Sequence, residues 1–146
     1  MDVFSAAQKN HAAGAWCSLN PVFAQSELKG KASGDDDVTD YRYALVECDE
    51  MTKEEQWRFL HCYHLPIQSV VWSGGKSLHA IVRIKADNNK LVYKERVDRL
   101  YAYLECLGVP IDKANRNPSR LTRLPGFQRS DDMQYYVAYQ MGPESW

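Results

Sequence analysis

Between Leu91 and Leu107 the apolar residues Tyr93, Val97, Leu100, Leu104 and Leu107 recur at alternating spacings of four and three. Only an α-helix gathers such a set into one stripe, and only a layer packed against that stripe buries it. Gly108 and Pro110 then close the helix. The glycine enters the left-handed region without strain, and the proline has no amide hydrogen to continue the ladder.

The partner layer is legible around this helix. Tyr41 to Asp49 is rich in aromatic and β-branched residues and reads as a strand. Thr52 and Glu55 form a capping box for a helix from about Lys53 to His64 that buries Trp57, Leu60 and Phe59 and stops at Pro66. Gln68–Ser73 and Ser77–Lys85 read as strands joined by Gly74–Gly75–Lys76, a hairpin turn. Ser119–Leu124 and Tyr135–Gln140 are the last strand candidates. The order strand, helix, strand, strand, helix, strand predicts an α+β fold: one mixed sheet with both helices on one face and the other face open to a ligand. The first forty residues are irregular, punctuated by Gly14, Asn20–Pro21, Gly30 and Gly34, with 30–34 an exposed loop.

A chain of 146 residues fits a single domain, 1–146, able to bury its own core. No apolar run approaches the roughly 20 residues of a membrane span. Met1–Asn10 lacks the basic-then-apolar pattern of a signal peptide. Cys17, Cys48, Cys62 and Cys106 make no C-x-x-C pair, which argues against a zinc ribbon and for free thiols in the cytoplasm. The formal net charge of −1 does not mark a nucleic-acid binder. Its distribution is more telling: Lys113, Arg116, Arg120, Arg123 and Arg129 fall in a stretch without acids, while acids gather at 35–37 and at Glu47, Asp49 and Glu50.

Three segments carry chemistry. Alternation along a strand puts Glu47 and Asp49 on one face, about 7 Å apart at Cα, where a hard divalent cation would relieve their repulsion. The competing reading is a frayed strand end with two solvated acids. In Ser73–Gly74–Gly75–Lys76–Ser77–Leu78–His79, a glycine turn and a lysine can make an anion site, with Ser77 and His79 on one face. The spacing is not that of a P-loop, and an ordinary hairpin with a structural histidine is the alternative. Asp112 with Arg120 and Arg123 forms the third, in which alternation sends the two arginines to opposite faces. Arginines that merely tether loops are the plainer reading there. His61 and His64 have no third ligand, and no two aromatics are set out as an obvious base-stacking pair.

Taken in order, these segments resemble the archaeo-eukaryotic primase superfamily, in particular the primase-polymerase domains of bacterial phages and mobile elements. The carriers are Leu45–Val46–Glu47–Cys48–Asp49, then Ser73 to His79, then Asp112 followed by Asn117–Pro118–Ser119–Arg120–Leu121–Thr122–Arg123–Leu124–Pro125–Gly126. The resemblance spans about Tyr41 to Arg129, and Asn20–Pro21 and Asp37–Val38–Thr39 also match. It implies an RRM-like βαββαβ core over 41–140 with an irregular N-terminal α/β extension over 1–40. It also implies template-directed nucleotidyl transfer by two metals, Mg²⁺ or Mn²⁺, from nucleoside triphosphates on single-stranded DNA, with a replicative helicase as partner in cis or in trans.

By position, Glu47, Asp49 and Asp112 are implied metal ligands. His79 is implied to meet the incoming phosphates with Lys76 and Ser77, and Arg120 and Arg123 to support nucleotide or acids. Lys113, Arg116 and Arg129 would hold template. Two departures stand out: a glutamate where the superfamily often has aspartate at the first acid, and a third acid several residues ahead of the arginine run. A rival of another class is a non-catalytic single-stranded nucleic-acid-binding accessory of replication, which needs aromatic platforms and cations but no acids. A nuclease using the same metals is a third.

Overall fold

A computed structural model describes residues 13–23 and 33–146. The signal-peptide reading of Met1–Asn10 and most of the loop reading at 30–34 fall outside them. The elements are β1 (Trp16–Ser18), β2 (Tyr43–Val46), α1 (Lys53–Cys62), β3 (Ile67–Trp72), β4 (Leu78–Arg83), α2 (Lys90–Cys106), β5 (Leu121–Arg123), β6 (Gln128–Arg129), β7 (Asp132–Met133) and β8 (Tyr135–Met141), with 3-10 turns at Asp35–Asp37 and Lys113–Arg116.

The α+β class and the helix positions are as the periodicity predicts. Thr52 caps α1 and Glu55 returns the bond to the Thr52 amide at 2.8 Å. Asn89 caps α2 by accepting from the amides of Leu91 and Val92. Tyr93, Val97, Leu100, Tyr101 and Leu104 are buried along α2, and Phe59 and Leu60 along α1, with Trp57 only half-buried. Both stripes meet one face of the sheet in a core with Ala44, Val46, Val70, Leu78, Ala80 and Val82.

Two expectations change. The sheet is not mixed: β2-β4-β3-β8 is antiparallel throughout. The strand at 119–124 does not join it, because the free edge of β2 is already sealed. Asn20 accepts from the amides of Arg42 and Tyr43 and donates to the carbonyls of Tyr43 and Pro118. From α2, the Tyr93 hydroxyl donates to Tyr43 O at 2.9 Å and the Tyr101 hydroxyl to Leu45 O at 2.6 Å. With these edge groups already taken, β5 pairs instead with β1, in the register Trp16↔Arg123, Cys17↔Thr122, Ser18↔Leu121. This ribbon crosses the face opposite the helices, which is therefore not fully open.

The buried Gln134 ties the ribbon down, accepting from Ala15 N and donating to Ala15 O. Gly14 is required beside it: its φ is +70°, and a Cβ there would meet Gln134 Oε1 at 2.5 Å. Asn20→Ala removes a partner from four backbone groups at once, of which only Tyr43 O keeps another, the Tyr93 hydroxyl, so we expect a loss on the order of 2–4 kcal/mol. Urea unfolding midpoints of the two proteins would check it. A variant within 0.5 kcal/mol of the parent, roughly the size of a surface substitution, would mean that the edge is held by the tyrosines alone.

Candidate active site

Glu47 follows the last residue of β2 and is held from three sides. Ser77 Oγ donates to its Oε1 at 2.7 Å, His79 Nε2 lies 3.3 Å from the same oxygen, and Asn115 Nδ2 donates to Oε2 at 3.1 Å. Its backbone carbonyl accepts from Asp112 N at 3.0 Å, which brings the third motif to the first. Burial alone would raise the carboxyl's pKa, but His79, through its hydrogen bond and charge, and then Ser77 and Asn115 outweigh it and hold the value at about 2. Glu47 is thus ionised at any physiological pH.

The glycine hairpin is positioned from beneath by a residue with no motif of its own. The buried Gln56 of α1 donates to Met51 O and Lys76 O and accepts from Leu78 N at 2.7 Å. Ser77 N is taken by Ser73 Oγ at 3.2 Å. Two amides of the expected anion nest are therefore satisfied within the fold. Alternation does set Ser77 and His79 on one face, where both reach Glu47. His79 is buried, with Nδ1 paired to Thr122 Oγ1 at 3.1 Å and its ring 6.3 Å from that of Trp16. With both ring nitrogens engaged, it points at the carboxylate and the ribbon, and Lys76 is exposed on the turn.

A cleft of about 530 Å³ opens beside Glu47, lined by Asp49, Asp112, Arg120, Trp16 and Leu121, with Ser33, Asn117 and Ser119. The strand ends before Glu47, so Asp49 sits in the following turn, yet both acids face the same space. Asp112 caps the 3-10 turn through Ala114 N, and its other oxygen lies 3.9 Å from Arg120. Among the described residues no three His, Cys, Asp or Glu side chains gather closely enough to hold a metal ion by themselves. Three hard oxygen donors around one cleft still suit a cation such as Mg²⁺, which takes one or two carboxylates and completes its shell from substrate phosphates and water. They do not suit a closed protein cage.

The basic run is not one patch. Lys113 pairs with Glu105, and Arg116 with Asp98 at 3.6 Å while stacking on Tyr101. Acids absent from the run in sequence are thus supplied by α2. Arg123 is buried, its guanidinium 3.3 Å from the Trp16 ring centroid and bonded to Ala13 O. Arg129 donates to Ser73 O beneath the glycine turn. Arg120 alone of the five lines the cleft. Sequence reasoning passed over Trp16, Asn115 and Thr122, whose contacts come from pairings too distant in sequence for any local pattern to announce.

No protein-family model matches the chain, and no curated protein does. Among solved structures, the chain is similar to the AEP domain of the cyanophage S-2L primase-polymerase, at 23% identity and a TM-score of 0.49, over 75% of this chain and 58% of that one. The chain thus spans little more than half the length of that domain. A likeness of this size assigns no activity; the geometry of the cleft has to. Among the described residues no helix is long and apolar enough to cross a membrane.

Proposed function

We propose that this chain is a metal-dependent nucleotidyltransferase of the primase-polymerase kind, adding nucleotides to a strand copied from single-stranded DNA in the replication of a phage or mobile element. The observation that carries the reading is Glu47: a carboxylate held ionised by Ser77, His79 and Asn115 at the wall of a cleft that two further carboxylates line. Three negative charges around one space, with Arg120 the one cation lining it among the described residues, call for a cation to enter.

Glu47, Asp49 and Asp112 would hold Mg²⁺ or Mn²⁺ there. When bound, such an ion neutralises charge on a triphosphate and lowers the pKa of an attacking hydroxyl. The chain's residues do the rest. Arg120 faces the phosphates, and Trp16, the one aromatic among the described lining residues, offers a surface for the base or sugar. His79 is a positioning residue in this arrangement, fixing the Glu47 carboxylate rather than touching substrate. In the reaction a 3′-hydroxyl oxygen bonds to the α-phosphorus, the bond to pyrophosphate breaks, and the hydroxyl proton leaves to solvent.

Incubation with a primed single-stranded template, labelled deoxynucleoside or ribonucleoside triphosphates and Mn²⁺ tests the reading. Extension supports it; cleavage of the strand, or binding without either, replaces it with a nuclease or an accessory binder. Trp16→Ala is expected to raise KM for the nucleotide roughly tenfold, the size of one lost stacking contact, with a smaller change in kcat. An unchanged KM would remove Trp16 from the nucleotide site.

A further inference from the structure

Three residues apart on a regular strand, Tyr136 and Tyr139 would point to opposite faces. A bulge changes that. Tyr136 pairs with Val71 and Tyr139 with Ser69, with the register shifting between Val70 and Val71. Val71 in turn faces His79, and Ser69 faces Ile81. Directly opposed residues share a face, so both tyrosines stand on the side of the sheet that carries His79, away from the helices. Tyr136 lies in the same row as His79, two strand spacings or roughly 10 Å away.

The two tyrosines are 63% and 72% exposed and, with Gln68 and Ser69, line a shallow cleft of about 490 Å³. No carboxylate is among these lining residues. Tyrosine rings give a flat π surface at low entropic cost, and an amide and a hydroxyl between them match the donors and acceptors of base edges. Cations complete the picture on the His79 side. Arg123 and Arg129 are bonded to the neutral carbonyls of Ala13 and Ser73, and among the described residues neither makes an ion pair with a carboxylate. Burial first, and then the like charge of Arg129, lower Arg123 to about 10 against an opposing pull from Glu47. Arg123 is buried and Arg129 only half-buried, so Arg129 is the guanidinium whose charge, left without a carboxylate partner, favours a polyanion.

We propose that the β3–β8 face is a binding surface for single-stranded nucleic acid, with successive bases stacked on Tyr139 and Tyr136 and the backbone led past Arg129 toward the cleft at Glu47. Only the course of the strand toward the cleft at Glu47 rests on the proposed nucleotidyl transfer.

The test is fluorescence anisotropy with a labelled oligothymidylate, without nucleotide or divalent ion, alongside thermal unfolding. Tyr136→Ala and Tyr139→Ala should each weaken binding roughly 5- to 150-fold, the range for one lost base-aromatic stack, with unchanged unfolding. The two phenylalanine variants should restore it. A double alanine variant that binds within twofold of the parent overturns the proposal. So does a sedimentation result in which these alanines abolish self-association through the β8 edge and leave oligonucleotide affinity intact. The two readings fail separately: lost extension with tyrosine-dependent binding removes the enzyme and keeps the surface, whereas extension with tyrosine-independent binding does the reverse.

Discussion

Asp49→Ala is expected to abolish nucleotide addition while leaving the protein folded. The side chain sits exposed in the turn after β2, and no side-chain hydrogen bond or ion pair within the described residues depends on it. Its only structural distinction is a place on the wall of the cleft with Glu47 and Asp112. A metal centre supplies several kcal/mol of stabilisation to the charge that develops on phosphate oxygens. At 1.36 kcal/mol per factor of ten, losing a ligand costs about a thousandfold in rate. Stability should stay within roughly 0.5 kcal/mol, as for other surface changes away from caps and cores. Asp49→Asn should fail equally, since an amide keeps the shape but not the charge. Primer extension by either variant at more than a tenth of the parental rate would remove Asp49 from the metal site.

That Asp49 and Glu47 face one space, as the sequence suggests, reflects which interactions are local. The stripe on α2, the cap at Thr52 and the glycine hairpin are all set by spacings within one turn or one strand, and each stands where periodicity puts it. The same alternation brings Ser77 and His79 to Glu47. What was not legible is non-local. Trp16 pairs with Arg123 across more than a hundred residues, from a segment whose only visible character is irregularity. Asn20 seals a sheet edge, Gln56 clamps a hairpin, and Asn115 meets Glu47. Each is a single polar residue whose partner no local pattern names. The bulge beside Val137 is a different kind of miss: one extra residue in β8 reverses the face of everything beyond it, so two tyrosines that alternation separates stand together. The acid-free run from Lys113 to Arg129 suggested a patch because sequence shows like neighbours and hides the α2 acids that divide them.

The carboxylate at the centre of the site yields the second large effect. Glu47 is held at about 2 against an ordinary 4.5, despite burial that pushes it upward. A folded-state value below the unfolded one means that ionised Glu47 stabilises the protein fully above about pH 4.5, and that this contribution disappears as the pH falls from there toward 2. With allowance for water at the cleft mouth, its size is on the order of 2 kcal/mol. Glu47→Gln should therefore unfold more easily in urea at pH 7 by about that amount and show a shallower loss between pH 4.5 and pH 2. The substitution is tolerated sterically, and the site has a way to accept it. Asn115 Oδ1 is buried without a partner among the described residues, so rotating that amide offers the introduced NH₂ group an acceptor in place of the donor Glu47 now meets. Nucleotide addition, in contrast, has no such remedy, because a neutral amide neither neutralises a divalent ion nor holds it beside Asp49, and the rate should fall at least a hundredfold. The two readouts separate the roles. A variant with the parent's pH dependence would show that His79, Ser77 and Asn115 do not hold the carboxylate ionised, and one with the parent's rate would show that ionisation serves only the fold.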